Sequence, residues 1–258
     1  MSQELKIALV QTSLVWEDPE QNRSNFSKII SGISSKVDLI VLPEMFTTGF
    51  TMNPENLDDT GGQDTIAWMK EMAKTKNAAI AGSTPYLEDN NYTNRLHFVL
   101  ADGKTYQYDK RHTFTLAGED KVYQSGSKRL IIDYRGFRIC PMICYDLRFP
   151  VWARYDGDYD ILLFVANWPE PRITAWDGLL RARAIENMAY CTGVNRIGED
   201  ANNLKYPGHS AIYDPLGNQI VYSEKEEVLY ASLNKQHLAK TRENLGFLED
   251  RDSFNLLS

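Results

Sequence analysis

The chain has 258 residues, of which 43% are hydrophobic and 24% charged, with a formal net charge of −7. It has the material for a sizeable core, at the size of one large α/β domain, and is not a disordered type. The acidic balance argues against a nucleic-acid-binding surface, and no 18-residue apolar run offers a membrane span.

The opening Met1-Ser2-Gln3-Glu4 lacks a basic patch followed by a long apolar core, so no signal peptide is expected and a cytoplasmic location is. Residues 5–11 read as a buried strand. Asp18-Pro19 opens a helix, with Asp as cap and Pro in the first turn, and Phe26, Ile29, Ile30 and Ile33 form its inner stripe. Residues 37–43 are a second apolar strand with Glu44 at its end. Ile66, Met69, Met72 and Ala73 mark a second amphipathic helix, and residues 78–83 a third strand.

Asp102-Gly103 reads as a hairpin turn between strands at 96–100 and 104–108, and Lys110 follows the second. Arg135-Gly136 is a similar turn between 130–133 and 137–143, and Cys144 follows directly. Residues 160–166 form a buried strand and 176–190 a helix. Shorter strands are expected at 194–197, 210–213, 219–222 and 228–233, with a turn at Asp214-Pro215-Leu216-Gly217 and a closing helix over 234–242. No Gly/Ser-rich linker divides the chain, so residues 1–258 are expected to form a single domain of two similar αβ halves.

Three chemistry-bearing residues therefore stand just past strand ends, the edge at which α/β sheets build sites. Cys144 ends the run Gly136-Phe137-Arg138-Ile139-Cys140-Pro141-Met142-Ile143, and a polar turn follows with Pro150 opening a helix. A thiol in that position can be ionised by local positive charge and attack a carbonyl. Lys110 would supply the charge and stabilise a developing oxyanion, helped by the backbone N–H of Tyr145. Glu44, sheltered behind an apolar run and a proline, suits the role of proton carrier.

Leu42-Pro43-Glu44-Met45-Phe46, Tyr108-Asp109-Lys110-Arg111-His112 and Ile143-Cys144-Tyr145-Asp146 resemble the Glu, Lys and Cys boxes of the nitrilase, or carbon–nitrogen hydrolase, superfamily. The gaps of 66 residues and then 34 are similar too. The resemblance continues in Ala166-Asn167-Trp168-Pro169, in 181–187 and in Gly208-His209-Ser210. It is strongest to the bacterial omega-amidase branch, whose tail resembles residues 247–254. It implies an α/β fold, a four-layer αββα sandwich of two mixed sheets flanked by helices. It also implies a cysteinyl thioester mechanism without metal or other cofactor, a small amide substrate bearing a carboxylate, and a homodimer. Members often carry a second glutamate between the Lys and Cys boxes. Glu119 is the best match, with Asp120 its rival.

Arg148, four residues after Cys144, would return to the same face of a helical turn and could hold a substrate carboxylate, as the matching arginine of omega-amidases is thought to do. It could equally be a strut paired with Asp146 or Glu186. Phe46, Phe50, Trp168 and Trp176 could wall a small pocket or belong to the core. Arg183 and Glu186, three apart on a helix, read as a structural ion pair. A zinc site at Cys140 and Cys144, with help from His97, His112, His209 or His237, lacks a second ligand pair at the usual spacing. N-carbamoyl amino acid hydrolysis, nitrile hydrolysis and acyl transfer would use the same three residues. A catalytically silent binding scaffold is the non-enzymatic alternative.

Overall fold

The computed structural model describes residues 3–33, 36–57 and 60–253, so Met1, Ser2 and Phe254 lie outside the described residues. The strands are β1 (Glu4–Gln11), β2 (Leu39–Val41), β3 (Ala79–Glu88), β4 (Asn91–Val99), β5 (Thr105–Asp109), β6 (Ile132–Tyr134), β7 (Phe137–Ile143), β8 (Ile161–Ala166), β9 (Tyr190–Asn195), β10 (Ile197–Glu199), β11 (Lys205–Pro207), β12 (Ser210–Tyr213), β13 (Gln219–Ser223) and β14 (Glu227–Asn234). The helices are α1 (Pro19–Gly32), α2 (Gln63–Lys76), α3 (Pro150–Ala153), α4 (Ile173–Asn187) and α5 (Lys235–Leu245).

Two six-stranded mixed sheets carry the fold, ordered β14-β1-β2-β3-β4-β5 and β13-β12-β9-β8-β7-β6. Each has a parallel centre (β1-β2-β3; β7-β8-β9) edged by antiparallel strands. The pleat explains why the central strands are apolar throughout. Leu5, Ile7, Leu9, Leu39 and Val41 join one core with Ile139, Ile161, Leu163 and Val165, between the sheets. The alternate residues Ala8, Val10, Ile40 and Leu42 join a second core with Phe26, Ile30, Ile66 and Met69 of α1 and α2. On the far side, Trp176, Leu180 and Ala184 of α4 cover the other sheet. The expected sandwich of two mixed sheets flanked by helices is the observed fold.

The Asp18 carboxylate caps α1 by accepting from the Gln21 N–H at 2.9 Å. Several boundaries differ from the sequence reading. The strand ending at 83 runs on to Glu88 and turns through Asp89-Asn90, both at positive φ (49° and 61°), into a β4 that begins at Asn91. The helix read over 176–190 ends at Asn187, because Met188 adopts φ 44° and closes it with a left-handed cap. The strand expected at 194 therefore starts at Tyr190, and the one expected over 37–43 is paired only over Leu39–Val41. Among the described residues no helix is long and apolar enough to cross a membrane.

Candidate active site

Each of the three strand-end residues leaves its strand by a defined local device. After β2 the chain bends at Met45, φ 41°, whose N–H donates to Ser83 Oγ at 2.9 Å. Glu44 is thereby turned inward and is fully buried. Lys110 extends β5, its N–H donating to the Asn94 carbonyl at 3.0 Å, and is fully buried as well. Cys144 follows β7 at φ 42°, a conformation costly for a non-glycine residue, and opens a tight 3-10 turn over Cys144–Arg148.

Asp146 holds that turn in place. Its carboxylate accepts from the Ile143 N–H (3.1 Å), the Tyr108 hydroxyl (2.7 Å) and the His112 N–H (3.0 Å), and meets the His112 ring at 2.8 Å. Arg183 donates to the Leu147 carbonyl at 2.7 Å and to Glu186 at 2.7 Å, so the expected helical ion pair also braces the turn.

Glu44, Lys110 and Cys144 converge, and the expected second glutamate, Glu119, joins them. Lys110 Nζ donates to Glu44 Oε1 at 2.8 Å and to both oxygens of Glu119, at 3.0 and 2.8 Å. Glu119 is fully buried and takes a further bond from the Phe114 N–H at 2.5 Å, whereas Asp120 is exposed. Two asparagines, neither given a role in the sequence reading, complete the cluster. Asn94 Nδ2 donates to Glu44 Oε1 at 2.8 Å and to Glu119 Oε1 at 3.1 Å. The Asn167 N–H donates to Glu44 Oε2 at 2.9 Å and its Nδ2 to the Glu44 carbonyl at 2.6 Å. The Asn167 carbonyl lies 3.9 Å from Cys144 Sγ. Asn94 is brought here by the β3–β4 hairpin, which extends past the strand expected to end at residue 83. Asn167 stood within a quoted motif, but its backbone contacts leave no mark in sequence.

The electrostatics correct one expectation. Burial first, and the Glu44 charge second, push the Cys144 thiol well above its ordinary value, and Lys110 pulls only partly against them. Burial and the neighbouring carboxyl therefore favour the protonated thiol, against the expectation of a sulfur ionised by Lys110 alone. Burial works against the Lys110 ammonium, yet the carboxylates of Glu119 and Glu44 outweigh it and hold Lys110 above the usual lysine range. Burial raises the Glu119 carboxyl, although Lys110 opposes that shift. The Lys110 side chain is thus held between the Glu44 and Glu119 carboxyls, beside the Cys144 thiol.

Cys144 and Lys110 open onto a cavity of about 80 Å³, enough for several water molecules or a small ligand. Phe50, Phe114, Tyr145, Trp168 and Tyr206 form its aromatic walls, and Arg148 and Arg172 stand among them. Arg148 is not a strut to Asp146 or Glu186; its guanidinium lies over the Trp168 ring, 4.9 Å from the centroid. Trp168 is fixed by reciprocal backbone bonds with the Asn195 side chain, at 2.7 and 2.9 Å. Phe46 and Trp176 do not line the cavity. The bend at Met45 sends Phe46 outward against Phe26 and Trp68, and Trp176 is buried behind Trp168. Cys140 and Cys191 are fully buried away from the cavity. Among the described residues no group of three or more His, Cys, Asp or Glu is arranged to hold a metal ion.

The carbon–nitrogen hydrolase family model matches residues 6–243 of the chain. The omega-amidase YafV of Escherichia coli K12 is 43% identical over 254 residues, which cover 98% of each chain. A 2-oxoglutaramate amidase of Bacillus subtilis 168 is 32% identical over 250 residues, 95% of this chain and 96% of the relative. Among solved structures, a CN-hydrolase superfamily protein of Xanthomonas campestris with an arsenic adduct in its active site matches with a TM-score of 0.94. That likeness holds at 41% identity and covers 98% of this chain and 99% of the other.

Proposed function

The chain belongs to the carbon–nitrogen hydrolase family, and on that premise we propose that it is an omega-amidase-type enzyme, cleaving the terminal amide of a small keto acid such as 2-oxoglutaramate through a thioester on Cys144. The observation that carries the reading is the buried ammonium of Lys110, shared by two carboxylates next to a buried thiol.

In the first half-reaction Cys144 Sγ bonds to the amide carbon as its proton passes to Glu44. The Glu44 carboxyl beside the buried thiol lets that transfer accompany attack. The carbonyl oxygen gains negative charge and is met by the Lys110 ammonium and the Tyr145 N–H. As the tetrahedral species collapses, the C–N bond breaks, Glu44 returns the proton to nitrogen, and ammonia leaves a thioester. Water then attacks that carbon, giving a proton to Glu44. The C–S bond breaks, the acid departs, and the proton returns to sulfur.

Glu119 and Asn94 are positioning residues in this scheme: they fix Lys110 and the Glu44 carboxylate without touching the thiol. Arg148 receives the substrate carboxylate, and Phe50 and Trp168 wall the carbon chain. A homodimer paired through the outer helices, where Ile185 is half exposed, and a cytoplasmic setting, suited to three free cysteines, belong to the same reading.

The test is ammonia release from 2-oxoglutaramate, 2-oxosuccinamate, glutamine, N-carbamoyl-β-alanine and a simple nitrile. The keto-acid amides are expected to be turned over best. Turnover of the carbamoyl compound without either keto-acid amide would overturn the proposal.

A further inference from the structure

The cavity carries more positive charge than the proposed chemistry consumes. The charged side chains on its walls are Lys110, Arg148 and Arg172, and none of the described residues lining it is acidic. Lys110 is more than matched by Glu44 and Glu119, each at 2.8 Å. Among the described residues neither Arg148 nor Arg172 has an acidic partner. Each guanidinium instead lies over an aromatic ring, Arg148 over Trp168 and Arg172 over Phe114, with 5.2 Å from the Arg172 carbon to the ring centroid.

Arg172 is also held in register with the reacting atoms. It ends the 3-10 turn Glu170–Arg172 that leads into α4, and its carbonyl accepts from Trp168 Nε1 at 2.8 Å. The ring beneath its side chain belongs to Phe114, the residue whose N–H donates to Glu119. One end of the cavity wall is thus tied to the Lys110–Glu119 pair, while the guanidinium itself is only half-buried and open to a ligand.

Resting on the omega-amidase reading above, we infer that Arg172 is a specificity-determining residue, which with Arg148 admits an α-keto acid and turns away the corresponding α-amino acid. An α-keto acid brings a carboxylate and a neighbouring carbonyl oxygen, all acceptors, which suit the donor forks of two guanidiniums. An α-amino acid brings an ammonium to the same place. There it meets two fixed cations and no carboxylate on the walls to receive it, so discrimination comes from repulsion as much as from attraction.

The experiment compares kcat and KM for 2-oxoglutaramate and glutamine in the wild-type enzyme, Arg172→Met and Arg172→Lys. The rate of inactivation by iodoacetamide, a neutral reagent, checks that the site is intact. Loss of a charge-assisted contact is expected to lower kcat/KM for 2-oxoglutaramate by roughly 10–100-fold in Arg172→Met, chiefly through KM. Glutamine should be little affected or improved, so the keto-to-amino preference should shrink at least about tenfold. Arg172→Lys should recover part of that preference. Arg172→Gln is judged by the same ratio should the Met variant fold poorly. Equal losses on both substrates, or an unchanged kcat/KM for 2-oxoglutaramate, would overturn the inference. A wild-type enzyme inert towards 2-oxoglutaramate would overturn the functional reading first, and this inference with it.

Discussion

Replacing Lys110 by methionine tests how the buried cluster is held together. At an effective dielectric constant near 20, each carboxylate contact at 2.8 Å attracts the ammonium by about 6 kcal/mol before desolvation is deducted. Desolvation cancels much of this, and removing one partner of a buried pair costs about 3–5 kcal/mol net. For a chain of this size that loss lowers Tm by roughly 6–20 °C. The loss should also depend on pH. Burial raises the Glu119 carboxyl even with Lys110 beside it, and without the opposing ammonium the shift grows. A carboxyl raised on folding keeps its proton where the unfolded chain has released it. Stability therefore falls as pH rises above the unfolded glutamate value near ~4.3. The deficit should be larger at pH 7 than at pH 5, and Lys110→Met combined with Glu119→Gln should regain stability without regaining activity. Thermal unfolding at both pH values, beside ammonia release, reads this directly. A Tm within about 2 °C of wild type at pH 7, with no pH dependence, would refute the reasoning.

Two further outcomes follow from the same geometry. Burial raises the thiols of Cys140, to about 12, and of Cys144 and Cys191. The unfolded chain loses these protons from about pH 8.5 while the folded chain keeps them, so stability should decline by up to ~4 kcal/mol per pH unit above that value. Urea midpoints under reducing conditions that stay flat from pH 8 to 11 would contradict this. Asn94→Ala removes a donor from both carboxylates, and should cost about 1–3 kcal/mol of stability and roughly 10–100-fold in kcat. Steady-state kinetics with chemical denaturation checks both, and unchanged values would show that Asn94 positions nothing.

Glu44, Lys110 and Cys144 could be read from the chain because each directly follows a strand or an apolar run, and so must sit at a sheet's edge. The sandwich was implied by the resemblance of the three boxes, and strands apolar on both faces, which need cover on both sides, agree with it. What failed to show depended on single backbone angles or on three-dimensional proximity. The positive φ of Met45 decides that Phe46 faces α1 rather than the cavity. The Asp89-Asn90 turn decides that Asn94 reaches Glu44. The thiol was expected to be ionised because Lys110 could be foreseen as its neighbour, whereas the depth of its burial could not. Arg172 and Tyr206 reach the cavity from segments whose spacing to Cys144 carries no periodic signal.

The proposed reaction requires a covalent bond from the amide carbon to Cys144. Acid quenching of the enzyme at steady state with 2-oxoglutaramate, followed by mass spectrometry of its peptides, looks for that bond. The predicted result is an adduct of the substrate less ammonia on the peptide containing Cys144, absent in Cys144→Ala, which should also be inactive. Full turnover by Cys144→Ala, or an adduct on Cys140 or Cys191 instead, would contradict it.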